Sequence, residues 1–185
     1  MIDVNKLRNG TTFTEDNELW KVIAYNHIKT ARGGGTVRVN VRNLRTGSNV
    51  EKTYNTGSRV QDIRLDATVM EYLYEDGTFL TFMDNETYEQ PQINTSIFGD
   101  DRHYLKEGTS IKLLRYEGEI IDYELPINMD LEVVDSDMAI AGDRANNPTK
   151  EVTVETGLVV KVPMFVNIGD TIRVKTEDGS YMTRV

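Results

Sequence analysis

The residues best suited to chemistry sit in one stretch, His27-Ile28-Lys29-Thr30-Ala31-Arg32-Gly33-Gly34-Gly35. Arg32 can donate paired hydrogen bonds to a phosphate, and Lys29 supplies a compact positive charge. The glycines allow positive φ and close backbone approach. By itself such a stretch also describes an ordinary solvated hairpin end. Its surroundings tip the balance: residues 19–50 hold Lys21, Lys29, Arg32, Arg38, Arg42 and Arg45 and no Asp or Glu, in a chain with 21 Lys and Arg against 30 Asp and Glu. A local cationic field of this kind favours contact with RNA or phosphate over roughly a Debye length, about 8–10 Å.

Other chemistries have little support. There is no cysteine, which excludes disulfides, thiol catalysis and Cys-based zinc sites. His27 and His103 are far apart in sequence and in no metal-ligand spacing. No GxSxG, P-loop or dinucleotide fingerprint occurs, and no Gly-Lys-Ser/Thr follows the glycines at 33–35. The acidic pairs Asp100-Asp101 and Asp135/Asp137 read as solvated loop charges. No enzyme, cofactor or metal is expected. Residues 1–20 lack a basic start followed by an apolar core, and no long apolar run occurs, so the expected location is the cytoplasm, with no membrane association.

The elements that would carry the stretch are strands. Short runs of Val, Ile, Tyr, Thr and Leu alternate with Gly, Asn and Asp punctuation along the whole chain. At most one short helical turn fits, near 4–7 or 96–100. Residues 19–28 and 36–44 read as two long strands joined by the glycine-rich connection, so the cations lie on one projecting hairpin arm. In the second strand Val37, Val39 and Val41 alternate with Arg38, Asn40 and Arg42. Arg45-Thr46-Gly47-Ser48 turns into a strand over 49–55. Expected strands at 68–74, 78–83, 87–93, 111–116 and 119–125 form a second unit. Those at 128–135, 151–156, 158–162, 171–176 and 180–185 form a third. Two consecutive units of five short strands suggest a pair of OB-like barrels.

Charge separates the same three regions. Residues 1–64 carry 11 bases against 6 acids, 65–126 carry 4 against 14, and 127–185 carry 6 against 10. The acidic middle serves solubility, orients the molecule by repelling RNA, or docks a basic protein. A generic single-strand-binding OB protein would want stacking aromatics on a basic face. Tyr72, Tyr74, Tyr88 and Tyr116 instead lie in the acidic unit.

Residues 27–34 resemble the tip of the bacterial translation elongation factor P family, commonly written H-x-K-P-G-K-G-G. The likeness continues through Asn43-Leu44-Arg45-Thr46-Gly47, through Tyr72-Leu73-Tyr74 with Phe82-Met83-Asp84 and Glu86-Thr87-Tyr88, and into Thr156-Gly157-Leu158-Val159-Val160-Lys161-Val162-Pro163 with Phe165-Val166 and Gly169-Asp170. The resemblance implies an all-β, L-shaped, tRNA-like monomer. Its domains would be a KOW/SH3-like barrel at 1–64, a central OB barrel at 65–126 and a C-terminal OB barrel at 127–185. It implies binding to the 70S ribosome beside the peptidyl-site tRNA, and promotion of peptide bond formation on stalled polyproline sequences by positioning. Lys29, Arg32, Gly33 and Gly34 would form the tip at the peptidyl-transferase centre. His27, Arg38, Arg42 and Arg45 would contact RNA, and the loop at Gly142, Asp143 and Arg144 would approach the exit-site codon. Arg32 stands where many relatives carry a modified Lys and an arginine-type subset carries an Arg that can bear rhamnose, which implies a tip-modifying enzyme as a further partner. Thr30-Ala31 replaces the usual Pro-Gly, Glu151-Val152 the usual Pro-Ala, and Arg144 a common Thr. The string Thr30-Ala31-Arg32-Gly33 is also similar to the elongation-factor-P-like paralogues.

Overall fold

The computed structural model describes residues 1–28, 34–137 and 148–185, with the backbone alone at His27. Three sheets follow one another along the chain. The first holds β1 (Ile2–Asp3), β2 (Thr12–Glu15), β3 (Glu18–Ile28), β4 (Thr36–Asn43), β5 (Asn49–Asn55) and β6 (Arg59–Asp62), in the order β1-β6-β2-β3-β4-β5. The second holds β7 (Asp66–Glu75), β8 (Phe79–Met83), β9 (Gln92–Asn94), β10 (Ser110–Tyr116) and β11 (Glu119–Glu124), ordered β11-β10-β7-β8-β9. The third holds β12 (Asn128–Ser136), β13 (Thr149–Val154), β14 (Val159–Pro163), β15 (Thr171–Lys175) and β16 (Tyr181–Arg184), ordered β14-β13-β12-β15-β16. The expected succession of three small all-β domains is present. Packing gathers the sheets into two compact units, Met1–Thr68 with Leu113–Tyr123 and Val69–Lys112 with Glu124–Val185.

In the first unit the alternation read in β4 sets the core. Val37, Val39 and Val41 are buried with Val4, Leu7, Phe13, Trp20 and Val22, while Arg38 and Asn40 are exposed. The β2–β3 hairpin turns through Asp16 and Asn17, both at positive φ (54° and 66°). That is the backbone a two-residue hairpin with native twist requires, and Asn and Asp tolerate it well. A second cluster joins Leu19 and Leu44 to Ile121 of β11, with Ile63, Leu65 and Tyr116 against it.

In the second unit the core of the third sheet is built from Leu131, Val133, Val152, Val154, Val162, Val166, Ile172 and Val174. Tyr104 belongs to that core although it precedes the sheet by more than twenty residues. Gly179 is fitted to it: a Cβ there would come within 2.9 Å of the Tyr104 hydroxyl oxygen, and φ is +73°. No side chain suits that position on either ground.

Two expectations are corrected. At most one helical turn was expected, yet both proposed places form one. Asp3 caps the 3-10 turn Val4–Lys6 by accepting from the Asn5 amide at 2.8 Å. Asn94 caps α1 (Thr95–Phe98) by accepting from the Ser96 amide at 2.9 Å, and a second 3-10 turn, Gly99–Tyr104, follows. Short polar side chains at both starts satisfy the orphan amides. The strand expected at 87–93 shrinks to β9, because Asp84 closes a turn by accepting from the amides of Glu86 (2.8 Å) and Thr87 (3.2 Å). The short strands β1, β2 and β6 were not anticipated.

Candidate nucleic-acid interface

The arm is built from β3, β4 and β5, with β4 between the other two. Pairing of β3 with β4 runs from Trp20↔Asn43 to Ile28↔Thr36, with a bulge between Val22 and Ala24. Pairing of β4 with β5 runs from Arg42↔Asn49 to Thr36↔Asn55. The Gly35 carbonyl accepts from the Thr56 amide (2.9 Å) and hydroxyl (2.5 Å). The base of the expected tip is therefore held on both sides. Gly34 is exposed, and a Cβ there would meet nothing within 4 Å. The tip residues Lys29, Arg32 and Gly33, and the loop residues Gly142, Asp143 and Arg144, lie outside the described residues. His27 pairs through its backbone with Val37, and its side chain lies outside them too.

The shaft is described in full, and the register explains its surface. Cross-strand partners share a face. Lys21 stands opposite Arg42, Asn26 opposite Arg38 and Ala24 opposite Asn40, with Asn49, Glu51 and Thr53 continuing the rows on β5. The outer face therefore collects Lys21, Asn26, Arg38, Asn40 and Arg42, a set of hydrogen-bond donors suited to phosphate and sugar oxygens.

Folding then brings acids to this acid-free segment. Lys21 Nζ lies 2.6 Å from Asp122 Oδ2, with side-chain exposures of 33% and 14%. Arg45 Nη2 lies 3.2 Å from Glu119 Oε2, and Arg38 Nε lies 3.4 Å from Glu51 Oε1. Among the described residues Arg42 has no ion pair. The site thus keeps Arg38 and Arg42 on its open face, while Lys21 and Arg45 are tied to β11.

Two positioning groups were not read from the sequence. Asn43 is buried and uses both polar atoms of its side chain. Its amide donates to Glu18 at 2.9 Å, and its carbonyl oxygen accepts from the amides of Arg45 (2.9 Å) and Thr46 (3.0 Å). It thereby shapes the turn that presents Arg45. Behind the arm, Lys52 lies 4.3 Å from the Trp20 ring centroid and is ion-paired with Glu15. The Tyr54 hydroxyl donates to the same carboxylate at 3.0 Å. Burial, and then the Glu15 charge, hold that hydroxyl well above its ordinary pKa of 10.0. Asn at a turn start was the only available sequence signal for the first group. The second joins residues too far apart in sequence to be paired by inspection.

Among the described residues no group of three or more His, Asp or Glu is placed to hold a metal ion. No helix among them is long and apolar enough to cross a membrane.

Comparison with known proteins gives consecutive matches along the chain. Residues 3–60 match the elongation factor P (EF-P) KOW-like domain, 65–123 the elongation factor P (EF-P) OB domain, and 129–184 the elongation factor P C-terminal domain. Among solved structures, eukaryotic translation initiation factor 5A from Methanococcus jannaschii aligns at 20% identity with a TM-score of 0.52, covering 66% of this chain and 89% of that one. That likeness concerns the fold. A translation initiation factor eif-5a family protein from Naegleria fowleri aligns at 12% identity with a TM-score of 0.44, covering 67% and 96%. Three sheet domains in this order, the first bearing a cationic arm, define a translation elongation factor. The chain belongs to the elongation factor P family.

Proposed function

We propose that this factor binds the ribosome beside the peptidyl-site tRNA and promotes peptide bond formation where synthesis stalls on consecutive prolines. One observation supports the reading above the others. The three family domains match in order over nearly the whole chain, and the first of them carries the arm whose open face presents Arg38 and Arg42. In this reading Arg32 is the tip contact, Lys29, Gly33 and Gly34 shape the tip, and Arg38, Arg42 and Arg45 hold RNA along the shaft. The loop at Gly142, Asp143 and Arg144 meets the exit-site codon. The domains fall at 1–64, 65–126 and 127–185. The factor positions reactants and leaves the bond chemistry to the ribosome, so it is not itself an enzyme.

Arg32→Ala tests the tip. Synthesis of a reporter carrying a proline run should lose its rescue, while the circular dichroism spectrum and melting temperature stay those of the parent. Full rescue by that variant would remove Arg32 from the mechanism. The string Thr30-Ala31-Arg32-Gly33 favours a second reading, the elongation-factor-P-like paralogue. Rescue of non-proline stalls with proline stalls left unrelieved would select it. Intact mass of the protein from its host shows whether a tip-modifying enzyme acts on Arg32.

A further inference from the structure

The second unit carries an open groove of about 730 Å³ along β7, lined by Glu71, Glu75, Glu107 and Glu155 beside Lys106. Carboxylates alone describe a solvated face and select no ligand. The point where the chain returns from the tip to the arm carries more.

That point is the Gly35 carbonyl. It accepts twice from one residue, from the Thr56 amide at 2.9 Å and from the Thr56 hydroxyl at 2.5 Å. A carbonyl oxygen has two lone pairs, and Thr56 engages both. Thr36 is paired with Asn55, so the Thr56 amide adds one rung to that ladder. The hydroxyl bond is an addition the ladder does not require. Gly34 and Gly35 have no Cβ, so local sterics do little to direct the backbone there. A second bond to the Gly35 carbonyl fixes the peptide plane that joins the tip to β4.

Thr56 is itself anchored. Residues 55–58 form a turn closed by the Ser58 amide donating to the Asn55 carbonyl at 3.0 Å. Gly57, its third residue, has φ +90°, which a type II turn requires at that place. The Ser58 carbonyl then accepts from the amide of Val4 at 2.9 Å, and the Val4 side chain is buried in the core of the first unit. A path of backbone bonds thus runs from that core through the turn to Gly35, three positions beyond Arg32. Thr56 is exposed, and among the described residues its hydroxyl bonds Gly35 alone. Core packing does not call for that hydroxyl.

We infer that Thr56 is a positioning residue whose hydroxyl sets the direction in which the tip leaves the arm. The inference rests on the reading of Arg32 as the tip contact. It divides the labour of the first domain: the shaft cations govern how tightly the factor is held, and Thr56 governs how well the held factor aligns its tip.

Thr56→Val keeps the side chain's size and the backbone bond and removes only the hydroxyl. In synthesis through a proline run, titrated with the full-length variant, the maximal rate should fall about three- to tenfold, the net worth of one hydrogen bond. The half-saturating concentration should stay at the parent value. Arg42→Gln should do the reverse. Thr56→Ser returns the hydroxyl and should return the rate. Nitrogen-15 relaxation should show lower order parameters at the Gly34 and Gly35 amides in Thr56→Val and parental ones in Thr56→Ser. A parental maximal rate in Thr56→Val, equal losses in the Val and Ser variants, or unchanged order at both glycines overturns the inference. Arg32→Ala, assayed alongside, separates the two levels. Full rescue by Arg32→Ala strikes the tip reading and this inference with it, whereas lost rescue there with full rescue by Thr56→Val strikes the role of Thr56 alone.

Discussion

The outer face of β3, β4 and β5 and the groove along β7 are built from charges of opposite sign, and folding treats them alike. In the arm, Lys21, Arg38 and Arg45 meet Asp122, Glu51 and Glu119, leaving Arg42 without an ion pair among the described residues. In the groove, Glu75 and Glu155 meet Arg102 and Lys106, leaving Glu71 and Glu107. A run of like charges in the sequence is therefore not yet a charged surface. Asp122 lies 101 positions from Lys21, and Glu119 lies 74 positions from Arg45. The charges that folding leaves unmet are the freest for a partner, and exposed pairs such as Arg38–Glu51 and Arg45–Glu119 hold their cations only weakly. The two regions differ in what surrounds that remainder: the arm's lies on an open sheet face, which suits a long polyanion, whereas the groove's lies along a concave wall.

The comparison breaks most severely at Phe82. Its ring is stacked on Phe98 at 5.6 Å and packs against Tyr72. Phe82→Ala should cost about 3–5 kcal/mol, read by denaturant unfolding, because Tyr72 of the groove wall and Phe98 both lose their packing partner. A smaller effect separates the two kinds of arm cation. Lys21→Ala strands the largely buried Asp122 carboxylate and should cost about 1–3 kcal/mol. Arg42→Gln breaks no pair among the described residues and should change stability by less than about 0.5 kcal/mol. Equal losses from the two would contradict the division into structural and available cations.

The smallest effect is one of pH. Arg173 donates to both Asp130 oxygens, at 2.7 and 2.8 Å, and these bonds hold the Asp130 pKa below its ordinary 3.8. A depressed carboxylate contributes stability above its unfolded pKa and loses it as pH falls through the folded one. Arg173→Gln should therefore lower stability slightly at neutral pH, and its difference from the parent should shrink away as pH falls below 3.8, which flattens the acid limb of the stability curve. The pair is about 40% exposed on each side, so solvent screening keeps the contribution small.

Much of this fold was legible because period-two patterns are local. Val37, Val39 and Val41 announced both β4 and its buried face. The short strands β1, β2 and β6 were missed because two to four residues carry too little alternation. Tyr104 was missed as a core residue because it packs into a sheet formed later in the chain. At the site, Arg38, Arg42 and Arg45 were legible as cations on one arm. That Lys21 and Arg45 are tied to β11 was not, since pairing across 101 and 74 positions leaves no local trace. The groove was hidden for the same reason, as its walls come from 71–75, 105–108 and 155–156.

The central claim is that the arm's unmet cations contact RNA, and the salt dependence of ribosome binding tests it most directly. Each phosphate contact contributes about one to the slope of log affinity against log salt. Arg42→Gln should reduce that slope by about one, while Lys21→Gln, whose cation is already spent on Asp122, should leave it at the parent value. A slope unchanged in Arg42→Gln, or reduced equally in both variants, would contradict the account.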